Sequence, residues 1–365
     1  MYKQNRAKTH YNEVMVKRKD TRPVHVGNIQ LGGQEKILIQ SMCSIKTSRT
    51  DLVVEQLRKC HELGADLMRL SVLDEEDAKA FSILKKEVSI PLIADIHFDY
   101  RLALCAIENG ADAIRVNPGN IGSKERIWQV AAKCASKRIP IRIGVNSGSL
   151  KKDANSHEPR PASAIQLMDD LSECVAIFEE VGFHDLVLSA KGSNVLETVE
   201  AYKEASKRFP YPLHLGITEA GPKDIGLIRS TAGLAPLLME GIGDTIRISL
   251  SDAPEEEIRA CCRLLHDLGL KPDYPTFISC PTCGRTQVNL IPTAKALQSY
   301  MEENHINKTV AVMGCVVNGP GEAKHADLGC AGGKGRWVIF QKGKILKEVK
   351  DGEIIPAMIE ELKKL

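Results

Sequence analysis

The chain is 365 residues long, and 49 Lys and Arg against 47 Asp and Glu leave a net charge of +2. That balance excludes a general electrostatic drive toward nucleic acid or anionic membrane, so any anion must be held by local placement of charge. Apolar residues make up 43%, enough for a large core, and no run of 18 of them predicts a membrane span. The first residues, Met1–Arg6, lack the apolar stretch of a signal peptide, and a cytoplasmic location is expected.

In chain order, short apolar runs alternate with helical patterns. Strands are predicted at Ile37–Met42, Leu67–Val72, Leu92–Ile96, Ala113–Val116, Ile141–Val145, Leu186–Ser189, Leu213–Ile217 and Thr245–Leu250. Between them, Leu52–Leu63, Arg101–Glu108, Lys124–Ala135, Ile165–Val181 and Val195–Lys207 carry helical spacing. Eight strands separated by helical crossovers predict an α/β fold, a (β/α)8 TIM barrel. A local repeat agrees: Glu62-Leu-Gly-Ala-Asp66-Leu-Met-Arg69 recurs as Glu108-Asn-Gly-Ala-Asp112-Ala-Ile-Arg115, with weaker echoes at Gly182–Asp185 and Gly243–Arg247. Each marks a helix ended by Gly and followed by a strand. A Rossmann topology is the rival, but no Gly-x-Gly-x-x-Gly follows the first strand. The polar stretch Ser147–Pro161 reads as a lid or a plain surface loop.

Near Gly269 the composition shifts, and Lys271-Pro-Asp-Tyr-Pro275 reads as a linker. Two domains are expected: a substrate-binding barrel over 1–268 and a small domain over 269–365. The second carries strands at Thr309–Met313 and Trp337–Phe340, a turn at Lys342-Gly-Lys, and a closing helix at Pro356–Leu365.

In such barrels the C-terminal strand ends carry the site. Alternate residues on a strand share a face. Arg69, Asp95 with His97, Arg115 with Asn117, Arg142 with Asn146, Ser189 with Lys191, and Arg247 with Ser249 and Ser251 can therefore point into one mouth. Like charges gathered in a small space are costly unless an anion joins them, and Arg forks match phosphate oxygens. The expected ligand is a small molecule with two phosphates or a diphosphate. The bland alternative is that each Arg pairs with a neighbouring carboxylate and only braces the barrel. Glu219 is the conspicuous acid at the mouth and the candidate to move a proton, with Asp95 and His97 a second pair.

Eleven cysteines without a secretory signal argue for thiols and metal ligands rather than disulfides. Cys60, Cys105, Cys134, Cys174, Cys261 and Cys262 read as small buried hydrophobes. Cys280-Pro-Thr-Cys283 differs, because Cys315 follows 32 positions later in Met313-Gly-Cys315-Val-Val-Asn-Gly-Pro-Gly-Glu322. Three thiolates without an obvious fourth suggest an iron–sulfur cluster with one special iron. Structural zinc is the competing reading, with Cys330, His325 or His305 as fourth ligand.

These segments resemble a known family. Cys-Pro-Thr-Cys-Gly-Arg, Met-Gly-Cys-Val-Val-Asn-Gly-Pro-Gly-Glu and Gly-Gly-Lys-Gly look like those of the 4-hydroxy-3-methylbut-2-enyl diphosphate synthases. So do Ile39-Gln-Ser-Met42, Ala94-Asp-Ile-His-Phe98, Arg115-Val-Asn-Pro-Gly-Asn120, Arg142-Ile-Gly-Val-Asn146 and Gly216-Ile-Thr-Glu-Ala-Gly221. Cys43, where the family usually has Thr, and Cys330, where it is usually apolar or small, are departures. The resemblance covers nearly the whole chain. It implies reductive dehydroxylation and ring opening of 2-C-methyl-D-erythritol 2,4-cyclodiphosphate in the non-mevalonate isoprenoid pathway. It also implies a 4Fe–4S cluster held by Cys280, Cys283, Cys315 and Glu322 in an α+β domain like those of sulfite reductases. Asn318 then lines the cluster side. Ferredoxin or flavodoxin is the implied electron donor, and a head-to-tail homodimer the implied assembly, one chain's cluster domain covering the other's barrel. A zinc-dependent barrel hydrolase and a pterin-binding barrel are the alternatives.

Overall fold

The apolar runs between Leu38 and Ile246 lie side by side, all parallel, around a closed barrel. In chain order these strands are β3 (Leu38–Met42), β4 (Leu67–Val72), β5 (Leu92–Ile96), β6 (Ala113–Val116), β7 (Ile141–Asn146), β8 (Leu186–Lys191), β9 (His214–Leu215) and β10 (Thr245–Ile246). A parallel bridge between Leu188 and Leu213 joins β8 to β9 and completes the ring. The computed structural model describes residues 16–146, 163–315, 323 and 325–365. Residues up to Leu270 form one compact unit and those from Lys271 a second.

The helices start where the sequence supplies caps. Asp74 accepts from the Asp77 N–H ahead of the helix Glu75–Glu87, and Asn194 from the Glu197 N–H ahead of Val195–Arg208. Ser163 and Gln166 form a reciprocal capping box at Ala164–Glu180. Gly64 and Gly110 end their helices at φ of 108° and 96°, where a side chain would be strained. The repeat also has a reason for its aspartates. Asp66, Asp112 and Asp244 each accept a backbone N–H at the start of the neighbouring strand, from Ile39, Leu92 and Leu213, at 2.8–2.9 Å.

Two expectations need correction. The strands predicted to run to Ile217 and Leu250 stop at Leu215 and Ile246. Beyond these points the backbone donors are taken elsewhere: Thr218 N–H by Gly192, Leu250 N–H by Glu257 and Ser251 N–H by Gly221. The other correction is an addition. An antiparallel hairpin, β1 (Val24–Val26) and β2 (Ile29–Leu31), precedes the barrel. Its Val24, Val26 and Leu31 pack on Leu38, Leu67, Ile93, Ala113 and Val187, an apolar plug at the N-terminal ends of the strands. The signal was present as two alternating runs separated by Gly27-Asn28.

The second unit is a five-stranded sheet: β11 (Thr276–Ser279), β12 (Thr309–Met313), β13 (Leu328–Gly333), β14 (Arg336–Gln341) and β15 (Lys344–Lys350). The first three strands are parallel, and β14 and β15 return antiparallel. The helices Leu290–Glu303 and Ile354–Leu362 cover one face, burying Leu297, Met301 and Met358 against Val310, Val312, Trp337 and Ile339. Among the described residues no helix is long and apolar enough to cross a membrane.

Candidate active site

Strand parity sets what enters the barrel. Leu38, Leu67, Ile93, Ala113 and Val187 form its apolar base over the hairpin. The next inward positions are polar: Gln40, Arg69, Asp95, Arg115, Arg142, Ser189, His214 and Thr245. Above them opens a cavity of about 260 Å³. Among the described residues, five basic side chains line it, Arg69, Arg115, Arg142, Lys191 and Arg247, together with Asp95, His97, Asn146, Ser189 and Ser249. Met42, Gly144 and Thr218 complete the wall.

Asp95 is the pivot of one side. Arg115 Nη1 donates to its Oδ1 at 3.2 Å, and Arg69 Nε lies 3.4 Å from its Oδ2. His97 Nε2 lies 3.7 Å from the same oxygen. Burial opposes the carboxylate's charge, but Arg69, His97 and Arg115 overcome it and hold Asp95 well below the usual range. Burial lowers Arg69 to about 10, with Asp95 opposing and the neighbouring Arg247 and Arg115 adding to the fall. Arg142 Nη1 donates to Gln40 Oε1, and its Nε has no partner among the described residues. Burial and the other arginines lower it strongly too.

The other side rests on a residue that sequence reasoning missed. Glu257, 2% exposed on the helix Pro254–Asp267, grips Arg247 through Nε at 2.9 Å and Nη2 at 3.0 Å. It also accepts from Ser41 Oγ at 2.7 Å and from the Leu250 N–H at 3.0 Å. Its sequence context, Pro254-Glu-Glu-Glu257, looks like the acidic first turn of any helix. Only its helical spacing to Cys261 and Leu264, both buried, hinted that it faces inward.

Three candidates stand off the cavity wall. Asn117 is buried and caps the short helix Pro118–Ile121 by accepting from Gly119 N–H. Ser251 is exposed and donates its N–H to Gly221. Glu219 is exposed, in left-handed backbone at φ 53°. Asn318, Glu322 and the segment Ser147–Pro161 lie outside the described residues.

In the second unit, parallel strand ends bring the cysteine loops together. Cys280 follows β11 and Cys315 follows β12, and the Gly314 N–H donates to Cys280 Sγ at 3.1 Å. Cys283 sits exposed on the turn between them, its thiol lowered first by the Arg285 N–H and then by the Arg285 side chain. Among the described residues no three metal-binding side chains converge on one point. A multi-iron cluster asks each thiolate for a separate iron, so two adjoining loops of thiols suit it. Cys330 is fully buried among Leu297, Val312 and Trp337, and burial pushes its thiol up. Cys43 is buried and donates to Gln56 Oε1. Cys60, Cys134, Cys174, Cys261 and Cys262 are buried as expected, and Cys105 is half-buried.

A parallel eight-stranded barrel with a polar cavity at its strand ends is the architecture of the TIM-barrel enzymes. The chain belongs to the GcpE family: residues 21–262 match the GcpE TIM-barrel domain and residues 276–364 the GcpE protein C-terminal domain. It is 50% identical over 343 residues to the 4-hydroxy-3-methylbut-2-en-1-yl diphosphate synthase (flavodoxin) of Clostridium perfringens, covering 94% of this chain and 98% of that protein. The protein of the same name from Clostridium tetani is 47% identical over 348 residues, covering 95% and 99%. Among solved structures, a dihydropteroate synthase from Xanthomonas albilineans matches with a TM-score of 0.49 and 14% identity, over 68% of this chain and 97% of that one.

Gly144 tests how firmly the wall is built. A Cβ there would lie 2.7 Å from Arg115 Nε, and Arg115 is already fixed by Asp95 and by the Gly144 carbonyl at 3.3 Å. Gly144→Ala is expected to displace Arg115 at an overpacking cost of about 1–3 kcal/mol. Calorimetric titration with an anionic ligand should show affinity down about tenfold. Unchanged affinity would mean that Arg115 does not hold the ligand.

Proposed function

We propose that the chain carries out the reaction its resemblance implies: two-electron reductive ring opening of 2-C-methyl-D-erythritol 2,4-cyclodiphosphate, in non-mevalonate isoprenoid biosynthesis. Its activity is that of its family, a 4-hydroxy-3-methylbut-2-en-1-yl diphosphate synthase, and the relatives' names favour this over the zinc and pterin alternatives. The observation that carries the substrate assignment is the charge of the cavity. Among the described residues, four arginines and Lys191 face two carboxylates, Asp95 and Glu257, so the arginines alone leave an excess of two positive charges. A cyclic diphosphate brings two negative charges to that excess.

In this reading Arg69, Arg115, Arg142, Lys191 and Arg247 hold the diphosphate. Asp95, His97, Asn117, Asn146, Ser249 and Ser251 orient the ligand and its supporting groups. Cys280, Cys283, Cys315 and Glu322 hold a 4Fe–4S cluster, with Asn318 beside it. When bound, the cluster supplies electrons singly and a Lewis-acidic iron. The substrate gains two electrons, its ring C–O bond opens toward the phosphate, and its hydroxyl leaves as water with one proton. Glu219 is the assigned proton donor. Flavodoxin, named in the relatives, is the donor proposed here over ferredoxin.

A head-to-tail homodimer is proposed as well. Leu73 and Phe98 follow their strands at the barrel's mouth, and Ile165, Leu196 and Ile225 open the helices there; all five are more than half exposed. Such a rim fits a partner surface.

The test is turnover of the cyclic diphosphate by anaerobically purified protein with reduced flavodoxin, alongside iron and sulfide analysis. Protein without iron or turnover defeats the reading. Glu219→Gln should lower turnover about 100-fold or more, the scale of general acid catalysis, while ligand affinity holds. Unchanged turnover removes Glu219 from its role.

A further inference from the structure

Lys191 differs from the other cations of the cavity. Arg69 and Arg115 share Asp95, and Arg247 is clamped by Glu257. Among the described residues Lys191 has no carboxylate partner, although it is only 8% exposed. Its Nζ lies over the bare backbone of Gly216, where a Cβ would come within 2.6 Å of it. The charged groups around it are Arg142 from β7, Arg247 beyond β10, Arg69 from β4 and Arg115 from β6. His214 lies on the adjoining strand, fully buried, with Nδ1 3.4 Å from Thr245 Oγ1 and Nε2 without a partner among the described residues. The two acids of the site, Asp95 and Glu257, are already engaged by arginines.

An ammonium in this position meets desolvation and four positive neighbours. Burial first, then those arginines, hold Lys191 well below its ordinary value. His214 is lowered in the same way, by burial and then by Arg142 and Lys191, and an imidazole, neutral or cationic, offers an ammonium no counter-charge. An anion in the cavity reverses the balance for Lys191, because it replaces repulsion with an ion pair at contact distance.

We propose that Lys191 is a neutral amine in the ligand-free enzyme and takes up a proton when a diphosphate enters, so that substrate binding carries a proton into the barrel. This rests on the diphosphate reading of the cavity. The proton passes from solvent to Nζ, and no other bond changes. It stays on the cavity wall, which Lys191 lines and Glu219 does not, as the charge that pairs with the diphosphate.

The experiment is calorimetric titration of the holoenzyme, without reductant, with the cyclic diphosphate in buffers of different ionisation enthalpy. Each phosphorus of that ligand carries one ester link, one anhydride link and a single strongly acidic oxygen that does not titrate near neutrality, so protons taken up are counted on the protein. The expected result is uptake approaching one proton at neutral pH, falling as pH drops and the free amine is already charged. Lys191→Arg keeps the charge but cannot surrender its proton, and should bind with uptake near zero. His214→Gln should bind with uptake intact. Binding heat without buffer dependence in the wild type overturns the proposal and leaves the diphosphate reading standing. Uptake that survives in Lys191→Arg, or vanishes only in His214→Gln, overturns it also. No binding at all defeats both. Should Lys191→Arg bind too weakly to measure, the wild-type pH series decides alone.

Discussion

Replacing Cys283 with Ala is expected to yield a folded protein that has lost its iron and its turnover. Cys283 is exposed and makes its contacts within one turn, to Thr286 and Arg285. Substitution at such an exposed site costs the fold little. Its effect on a metal centre is of another order. Loss even of an outer partner of a metal ligand costs about 10- to 100-fold, and a ligand itself must cost more. The informative comparison is Cys330→Ala. That thiol sits in the core against Trp337 and Val312, so its removal is expected to cost about 1 kcal/mol and leave iron content unchanged. Iron per chain and visible absorbance, measured anaerobically beside thermal unfolding, separate the two. Full iron in Cys283→Ala would remove that residue from the ligand set.

The second large effect is expected at Glu257. Its carboxylate satisfies Arg247 twice, Ser41 Oγ and the Leu250 N–H, all in a nearly dry setting. Glu257→Ala leaves a buried guanidinium unpaired, a loss of about 3–5 kcal/mol. For a chain of this size each kcal/mol moves the midpoint by about 2–4 °C, so Tm should fall by roughly 10 °C. Arg247 then becomes free to collapse onto the cavity, and ligand affinity should drop with it. A thermal scan showing Tm within about 2 °C of wild type would mean that water already satisfies this pair.

The barrel was legible because three of the crossovers repeat one physical unit: a helix ended by Gly, an Asp that fastens the start of a neighbouring strand, and an apolar run. Parity then located nearly all of the cavity wall, since a strand's faces alternate whatever its length. What escaped notice depends on contacts that no period encodes. Glu257 looks like a solvated helix-start acid until the fold sets it against Arg247 and Ser41. The ends of β9 and β10 could not be read, because donors from Thr218, Leu250 and Ser251 leave the ladder for partners distant in sequence. Gln40 was quoted only as part of a motif, yet it receives Arg142. In the second unit only two of five strands were anticipated. β13, with three glycines in Leu328–Gly333, lacks the β-branched signature that marks a strand, and Gly329 and Gly332 leave room for Phe340 and Val288.

The hairpin beneath the barrel sets a bound on how this molecule can be cut. Because the middle of the ring is given over to Arg, Asp, His and Gln, the oily contacts that normally fill such a ring are displaced downward onto Val24, Val26 and Leu31. The stopper is thus as much a part of the wall's stability as the wall itself. Shortening the chain past Leu31 would uncork the strands and leave a sticky, wetted bore rather than a smaller enzyme.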